Sequence, residues 1–192
     1  MINIGVIGSG TMGNGIAHVS ALSGFPTTLV DVNDNFLKLG LETIQKNLQR
    51  QMKKKIINQS DMDAVLKKIK LTTDYNNLSN CDIVIEAATE NQSIKEKIFK
   101  SMDNVCDKNT ILATNTSSIP ITAIAEVTNR PEKVIGMHFM NPVPIMKLVE
   151  IVRGKETNDT TTNSVVDISK IMGKIPIECN DSPGFVSNRI LM

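Results

Sequence analysis

The chain holds two histidines, and one of them sits where acid–base chemistry would be useful. His138 nearly closes the apolar run Val134-Ile135-Gly136-Met137-His138-Phe139, with Asn141-Pro142 just beyond it. An imidazole titrates near neutral pH, so at the end of a buried strand it can take a proton from a hydroxyl and return it. Glu150 is the second signal, the lone carboxylate in Leu148-Val149-Glu150-Ile151-Val152. A buried ionised carboxylate is costly unless it is paired and hydrogen-bonded. One reading pairs it with His138, orienting the ring and stabilising an imidazolium. The other turns it outward from an edge strand, and spacing alone leaves both open. His18 lies on the first predicted helix, where a partly exposed or core-edge histidine is the default, and receives no role.

A different chemistry is written near the N-terminus. Gly8-Ser9-Gly10-Thr11-Met12-Gly13 follows one apolar strand, opens a helix, and is followed by a second strand ending at Asp31. Gly8 permits a tight turn, Gly10 lets a pyrophosphate approach the backbone, and Gly13 lets helix and strand pack closely. Free N–H groups at the helix start, around Thr11 and Met12, favour phosphate oxygens. Asp31 stands 18 residues past Gly13, where an acid would bind adenosine ribose hydroxyls. Val32 and Asn33 offer no cation for a 2′-phosphate, so the pattern predicts NAD rather than NADP. Asn33 or Asp34 is the better helix cap, which frees Asp31 for the ribose. Asn115-Thr116-Ser117-Ser118 follows another apolar strand and reads equally as ligand-binding polar groups or as turn and cap residues. Glu86 and Glu90 bracket the turn where the second half of a dinucleotide would lie.

These residues need a scaffold that brings several strand ends together. Strands are predicted at Ile2–Ile7, Thr27–Val32, Ile83–Ala87, Ile111–Thr114, Val134–Phe139, Leu148–Val152 and Ile175–Cys179. Helices are predicted at Asn14–Leu22 and along the stripe Leu37, Leu41, Ile44, Leu48, Met52. Another begins near Ser60 with a Ser60/Asp63 capping box and the stripe Met62, Val65, Leu66, Ile69; two more span Ser93–Val105 and Thr160–Met172. Apolar strands separated by helices indicate an α/β, doubly wound, mostly parallel sheet, whose ligand crevice lies at the carboxyl ends of the strands. The balance of 21 Lys+Arg against 20 Asp+Glu argues against a general nucleic-acid or membrane surface. The 3% aromatic content with no Trp argues against base stacking. No apolar run has membrane-span length, and no basic region precedes the first strand. Cys81, Cys106 and Cys179 form neither a CxxC pair nor a disulfide framework, so no metal is expected and a cytoplasmic setting fits.

Five segments in order, Gly8–Ala17, Glu86–Glu90, Asn115–Ser118, Gly136–Val149 and Pro183–Ile190, give the chain a close resemblance to the short-chain 3-hydroxyacyl-CoA dehydrogenases. The bacterial 3-hydroxybutyryl-CoA dehydrogenases are the nearest in pattern, and the likeness covers essentially the whole chain. It implies a Rossmann-type domain with a helical hairpin inserted after the second strand, over 1–184. It also implies that residues 185–192 begin an all-helical dimerisation domain otherwise absent, through which the full-length protein would pair as a homodimer. By the same resemblance His138 matches the catalytic base and Glu150 its partner. Ser117 matches a substrate and cofactor contact, Asn188 an acyl-CoA contact, and Asn141 a second active-site asparagine. Asp31, Glu90, Lys95 and Asn115 match NAD-binding positions, and Lys54 matches a residue that meets the CoA phosphates. Read without the resemblance, the basic run around Lys54 is a solvated helix face. Met140 stands where Phe is common and Asn47 where Ser is frequent on the CoA-binding helix.

The implied reaction interconverts a 3-hydroxyacyl-CoA thioester and its 3-oxo form with NAD. Two other readings compete. Related 3-hydroxyacid dehydrogenases share the glycine opening but use a lysine where Asn188 and Arg189 stand. A dinucleotide-binding module without turnover would leave Ser117, His138, Glu150 and Asn188 without a purpose.

Overall fold

A computed structural model describes residues 1–191, and Met192 lies outside the described residues. Strands β1 (Ile4–Ile7), β2 (Thr27–Val30), β3 (Ile69–Thr72), β4 (Ile83–Glu86), β5 (Ile111–Thr114), β6 (Val134–Phe139), β7 (Leu148–Arg153) and β8 (Ile175–Asn180) make one sheet. Their order is β3-β2-β1-β4-β5-β6-β7-β8. The first six run parallel, β7 turns antiparallel to β6, and β8 follows β7 in parallel. The connecting helices are α1 (Thr11–Leu22), α2 (Asp34–Lys53), α3 (Gln59–Lys68), α4 (Gln92–Val105), α5 (Ile121–Ala125) and α6 (Asp159–Ile171); α7 (Ser187–Leu191) follows β8.

Both faces of the sheet are covered, which is why its central strands are apolar without alternation. Ile4 and Val6 of β1, Ile83 and Ile85 of β4 and Val149 and Ile151 of β7 pack toward α1, α2, α3 and α6. The intervening Ile7, Val84, Leu112 and Val152 pack toward α4 and α5, in a cluster that also takes in Phe185. The doubly wound α/β architecture with a helical hairpin after β2 is therefore present, the hairpin being α2 and α3. Among the described residues no helix is long and apolar enough to cross a membrane.

Four local expectations need correction. The capping box of α3 is formed by Asn58 and Asp61, not by Ser60 and Asp63; Asn and Ser cap about equally well, so side-chain type did not decide between them. Ile69 does not extend the α3 stripe but opens β3, a strand the periodicity hid because its residues are only partly buried. A short helix, α5, follows Pro120, where none was predicted; the Asp181 carboxylate accepts from its Ile121 and Thr122 N–H groups. The last helix starts at Ser187 rather than at 185, because Gly184 (φ 75°) and Phe185 (φ 49°) occupy the left-handed region, which right-handed helix cannot include. Asn33 caps α2 by accepting from the Phe36 N–H, as predicted.

Candidate active site

The glycine turn sits between β1 and α1. Gly8 has φ 94°, and a Cβ at Gly13 would fall 1.7 Å from the Gly8 carbonyl oxygen. No side chain fits there, so Gly13 is fixed by the closure of the turn. Gly10 differs: a Cβ there would meet nothing within 4 Å, because the residue faces open space. Gly10 is also the N-cap of α1 and has no side chain to occupy the first-turn N–H groups, which leaves them for an anion. Asp31 lies at the neighbouring strand end, where its Oδ2 accepts from the Ser9 N–H and hydroxyl, both at 2.6 Å. The carboxylate thus clamps the turn. A cleft of about 750 Å³ opens beside it, lined by Gly8, Gly10, Asp31, Val32, Ala87 and Ile94. Its open glycine and uncapped N–H groups suit a pyrophosphate, its acid a ribose, and its apolar wall an adenine. The residues fit a dinucleotide.

The next strand ends carry a buried ionic chain. Lys95, on α4, is 1% exposed and bonds both oxygens of Glu86, at 2.7 and 2.9 Å. Glu86 is fully buried and also accepts from Thr114 Oγ1 and the Ala88 N–H. Beyond the ammonium, Glu90 Oε2 lies 3.6 Å away. Glu90 Oε1 accepts from Thr116 Oγ1 and from the N–H and hydroxyl groups of Ser117 and Ser118. Partial burial pushes the Glu90 carboxyl up, but those bonds and Lys95 outweigh it and hold it below the ordinary carboxylate range. Asn115 Oδ1 accepts from the Phe139 N–H, tying the β5 and β6 ends together. The loop after β5 is therefore both a turn and a polar cluster. Lys95 had a readable signal: Lys95, Phe99 and Met102 share the buried stripe of α4, and a cation there requires a carboxylate.

At the β6–β7 rim the antiparallel register sets His138 directly opposite Glu150. Nδ1 of His138 lies 2.7 Å from Glu150 Oε2, with the residues 8% and 1% exposed. The outward-facing reading of Glu150 is excluded. Burial pushes its carboxyl up, yet the bonds from His138, Ser187 and Val186 win and hold it below the usual range. Phe185 stacks edge-on to the imidazole at 5.7 Å. Asn188 Nδ2 donates to the Ser117 carbonyl oxygen at 3.1 Å, so Ser117, His138, Glu150 and Asn188 converge. Asn141 stands apart, in a cleft of about 320 Å³ with Gly10, Thr43 and Asn47. Lys54 caps the C-terminus of α2, exposed and outside the lining of either cleft. Ser187 and Phe185 escaped the sequence reading, since only the left-handed turn at 184–185 brings them onto the pair. His18 is corrected: it is fully buried, and among the described residues neither ring nitrogen has a hydrogen-bond partner.

Residues 3–182 match the family model described as 3-hydroxyacyl-CoA dehydrogenase, NAD binding domain. The chain belongs to that family. Over 191 residues it is 48% identical to a probable 3-hydroxybutyryl-CoA dehydrogenase of Deinococcus radiodurans, covering all of this chain and 68% of the relative. A probable 3-hydroxybutyryl-CoA dehydrogenase of Bacillus subtilis is 47% identical, with 97% of this chain and 65% of the relative covered. The crystal structure of (S)-3-hydroxybutyryl-CoA dehydrogenase from Ralstonia eutropha superposes with a TM-score of 0.97 at 49% identity, over 98% of this chain and 67% of that one. The chain thus spans about two thirds of the length of these relatives. As the NAD-binding domain of a 3-hydroxyacyl-CoA dehydrogenase, it has NAD as its cofactor, and the cleft beside Gly10 and Asp31 is the part of the molecule that fits it.

Proposed function

We propose that this dehydrogenase-family protein interconverts 3-hydroxyacyl-CoA, with 3-hydroxybutanoyl-CoA the best candidate, and the corresponding 3-oxoacyl-CoA. The buried 2.7 Å contact between His138 Nδ1 and Glu150 carries the reading. With Nδ1 committed to Glu150, Nε2 is the nitrogen that accepts the proton of the substrate 3-hydroxyl in the oxidative direction. In reduction the same nitrogen returns a proton to the carbonyl oxygen. Glu150 stabilises the imidazolium formed between these events. NAD, when bound, accepts or supplies the hydride, and the protein supplies position and the base.

Ser117 and Asn188 orient the hydroxyl and thioester ends, and Asn141 contributes from the neighbouring cleft beside Gly10. Gly8, Gly10, Thr11, Met12, Gly13 and Asp31 hold the adenosine diphosphate half of NAD, and Glu90, Lys95 and Asn115 shape the nicotinamide ribose side. For Lys95 the role is indirect, since its ammonium is buried against Glu86. The cleft that holds Asn47 and Asn141 leads the CoA arm toward Lys54. In this reading residues 1–184 are the NAD-binding domain, residue 185 onward belongs to the helical dimerisation domain that the resemblance implies, and two subunits of the whole protein pair through that domain in the cytoplasm.

NADH consumption with acetoacetyl-CoA, run beside NADH binding followed by fluorescence, tests the proposal. Turnover with saturable binding is the expected result. Binding without turnover would reduce the reading to a nucleotide-binding module, and no binding would overturn the cofactor assignment.

A further inference from the structure

The segment after β8 does more than carry Asn188. Glu150 Oε1 accepts from the N–H groups of Val186 and Ser187, at 3.0 and 2.7 Å. Glu150 Oε2 faces His138 Nδ1 at 2.7 Å and also accepts from the Ser187 hydroxyl at 2.9 Å. The four donors divide evenly, and the oxygen that serves the imidazole is the one that Ser187 shares.

We infer that Ser187 is a positioning residue that tunes the His138–Glu150 pair through its hydroxyl. The inference rests on the pair having the acid–base role proposed above. A donor on Oε2 has two consequences. It fixes the carboxylate plane, so that Oε2 stays opposite Nδ1 and the ring cannot rotate away. It also draws charge from the oxygen on which the imidazolium depends, because a hydrogen bond to the charged form stabilises that form without help from the histidine. The pair is therefore weaker as a proton trap than a bare carboxylate would make it, which suits a base that must release its proton in each cycle.

Geometry gives the serine hydroxyl a role that its backbone does not share. The Ser187 N–H serves Oε1, and any residue would provide it; only a hydroxyl, or an equivalent short donor, reaches Oε2. The adjacent Asn188 holds the Ser117 carbonyl, and Phe185 meets the imidazole edge-on. One short segment thus contacts the acid, the base and the loop after β5. Among the described residues the titratable groups facing Glu150 are His138 from β6 and Cys179 from β8, whose thiol is pushed up to about 11 by burial first and then by the Glu150 charge. Cys179 is neutral across the working range, so His138 and the donors from 186–187 control the carboxylate.

The test follows the Glu150 side-chain carboxyl by NMR in protein labelled with carbon-13 glutamate, its signal assigned by loss in Glu150→Gln. Wild type, Ser187→Ala and Ser187→Thr are titrated without substrate. In Ser187→Ala the Glu150 midpoint rises by roughly one pH unit, and Ser187→Thr, which keeps the hydroxyl, restores the wild-type midpoint. An unchanged midpoint in Ser187→Ala overturns the inference. So does an equal rise in both variants, because the hydroxyl would then not be the cause. Amide spectra of each variant confirm that the 184–191 turn is kept, and Ser187→Cys provides a second short side chain should the alanine variant lose it. Failure of the acid–base reading would appear separately, as turnover that survives His138→Gln.

Discussion

The chain holds two histidines, both buried, and the two have opposite fates. His138, at the β6–β7 end, is paired with a buried carboxylate 2.7 Å away. His18 lies inside α1, the helix whose first turn faces the NAD cleft, and no acceptor among the described residues reaches either of its nitrogens. Burial lowers the His18 pKa to about 4, with the nearby Gln51 opposing and the Lys174 charge adding to the shift. His18 is therefore a neutral packing residue at neutral pH. Burial disfavours the charged form of an imidazole unless an opposite charge or a hydrogen bond to that form compensates. On the proposed function, the α1 half would bind through backbone groups and leave its histidine silent, whereas the β6–β7 half would work through side chains.

The sharpest way to separate the halves is His138→Gln. Loss of a positioned general base predicts that turnover with acetoacetyl-CoA falls by roughly two to four orders of magnitude. The NADH dissociation constant measured by fluorescence should change less than about twofold, since His138 lies outside the nucleotide cleft. A variant that loses both together would break the division.

The silent histidine makes the next largest prediction. In the unfolded chain His18 protonates below its ordinary value of 6.5, while in the folded chain it stays neutral until about 4. Between those values the unfolded state binds more protons, so stability falls as the pH drops through that window. The loss amounts to about 3 kcal/mol. Urea unfolding at pH 7 and pH 4 should show that His18→Leu has lost this part of the acid sensitivity. Parallel pH dependence in wild type and variant would mean that His18 is not buried as a neutral ring.

Smaller effects sharpen the backbone side of the contrast. Gly10→Ala adds a methyl where nothing lies within 4 Å, so the melting temperature should hold while NADH binding weakens by roughly tenfold, the methyl standing where the pyrophosphate must approach. A drop in melting temperature of more than a few degrees would show that Gly10 is needed for the turn itself. Least of all, Asp31→Asn keeps the shape but removes the charge beside the ribose. Discrimination of NADH over NADPH, measured as a ratio of dissociation constants, should narrow by a few-fold. A ratio that stays fixed would shift the preference to the apolar wall around Val32.

Much of this was legible because it is local. The glycine turn, the Asn33 cap and the central strands depend on residues within a few positions of one another, and their side-chain types suffice to fix them. The α3 cap lies two residues from its predicted place because several Asn, Ser and Asp side chains compete there, and β3 is hidden because its own residues are only partly buried. The sequence marks Glu86 and Lys95 separately but not as partners, since nine residues and a turn separate the strand end from the buried stripe of α4.

The sequence by itself determined the fold class, the NAD turn and the identity of the chemical groups, because periodicity and spacing act over short stretches of chain. Tertiary structure decided which of those groups meet. His138 and Glu150 face each other only because β7 runs antiparallel in one particular register, and a slip of one residue would put them on opposite faces of the sheet. Ser187 reaches the carboxylate only because Gly184 and Phe185 turn the chain back over it. A charge inside a sheet is tolerable only when its partners arrive from other strands. Those arrivals are set by long-range packing.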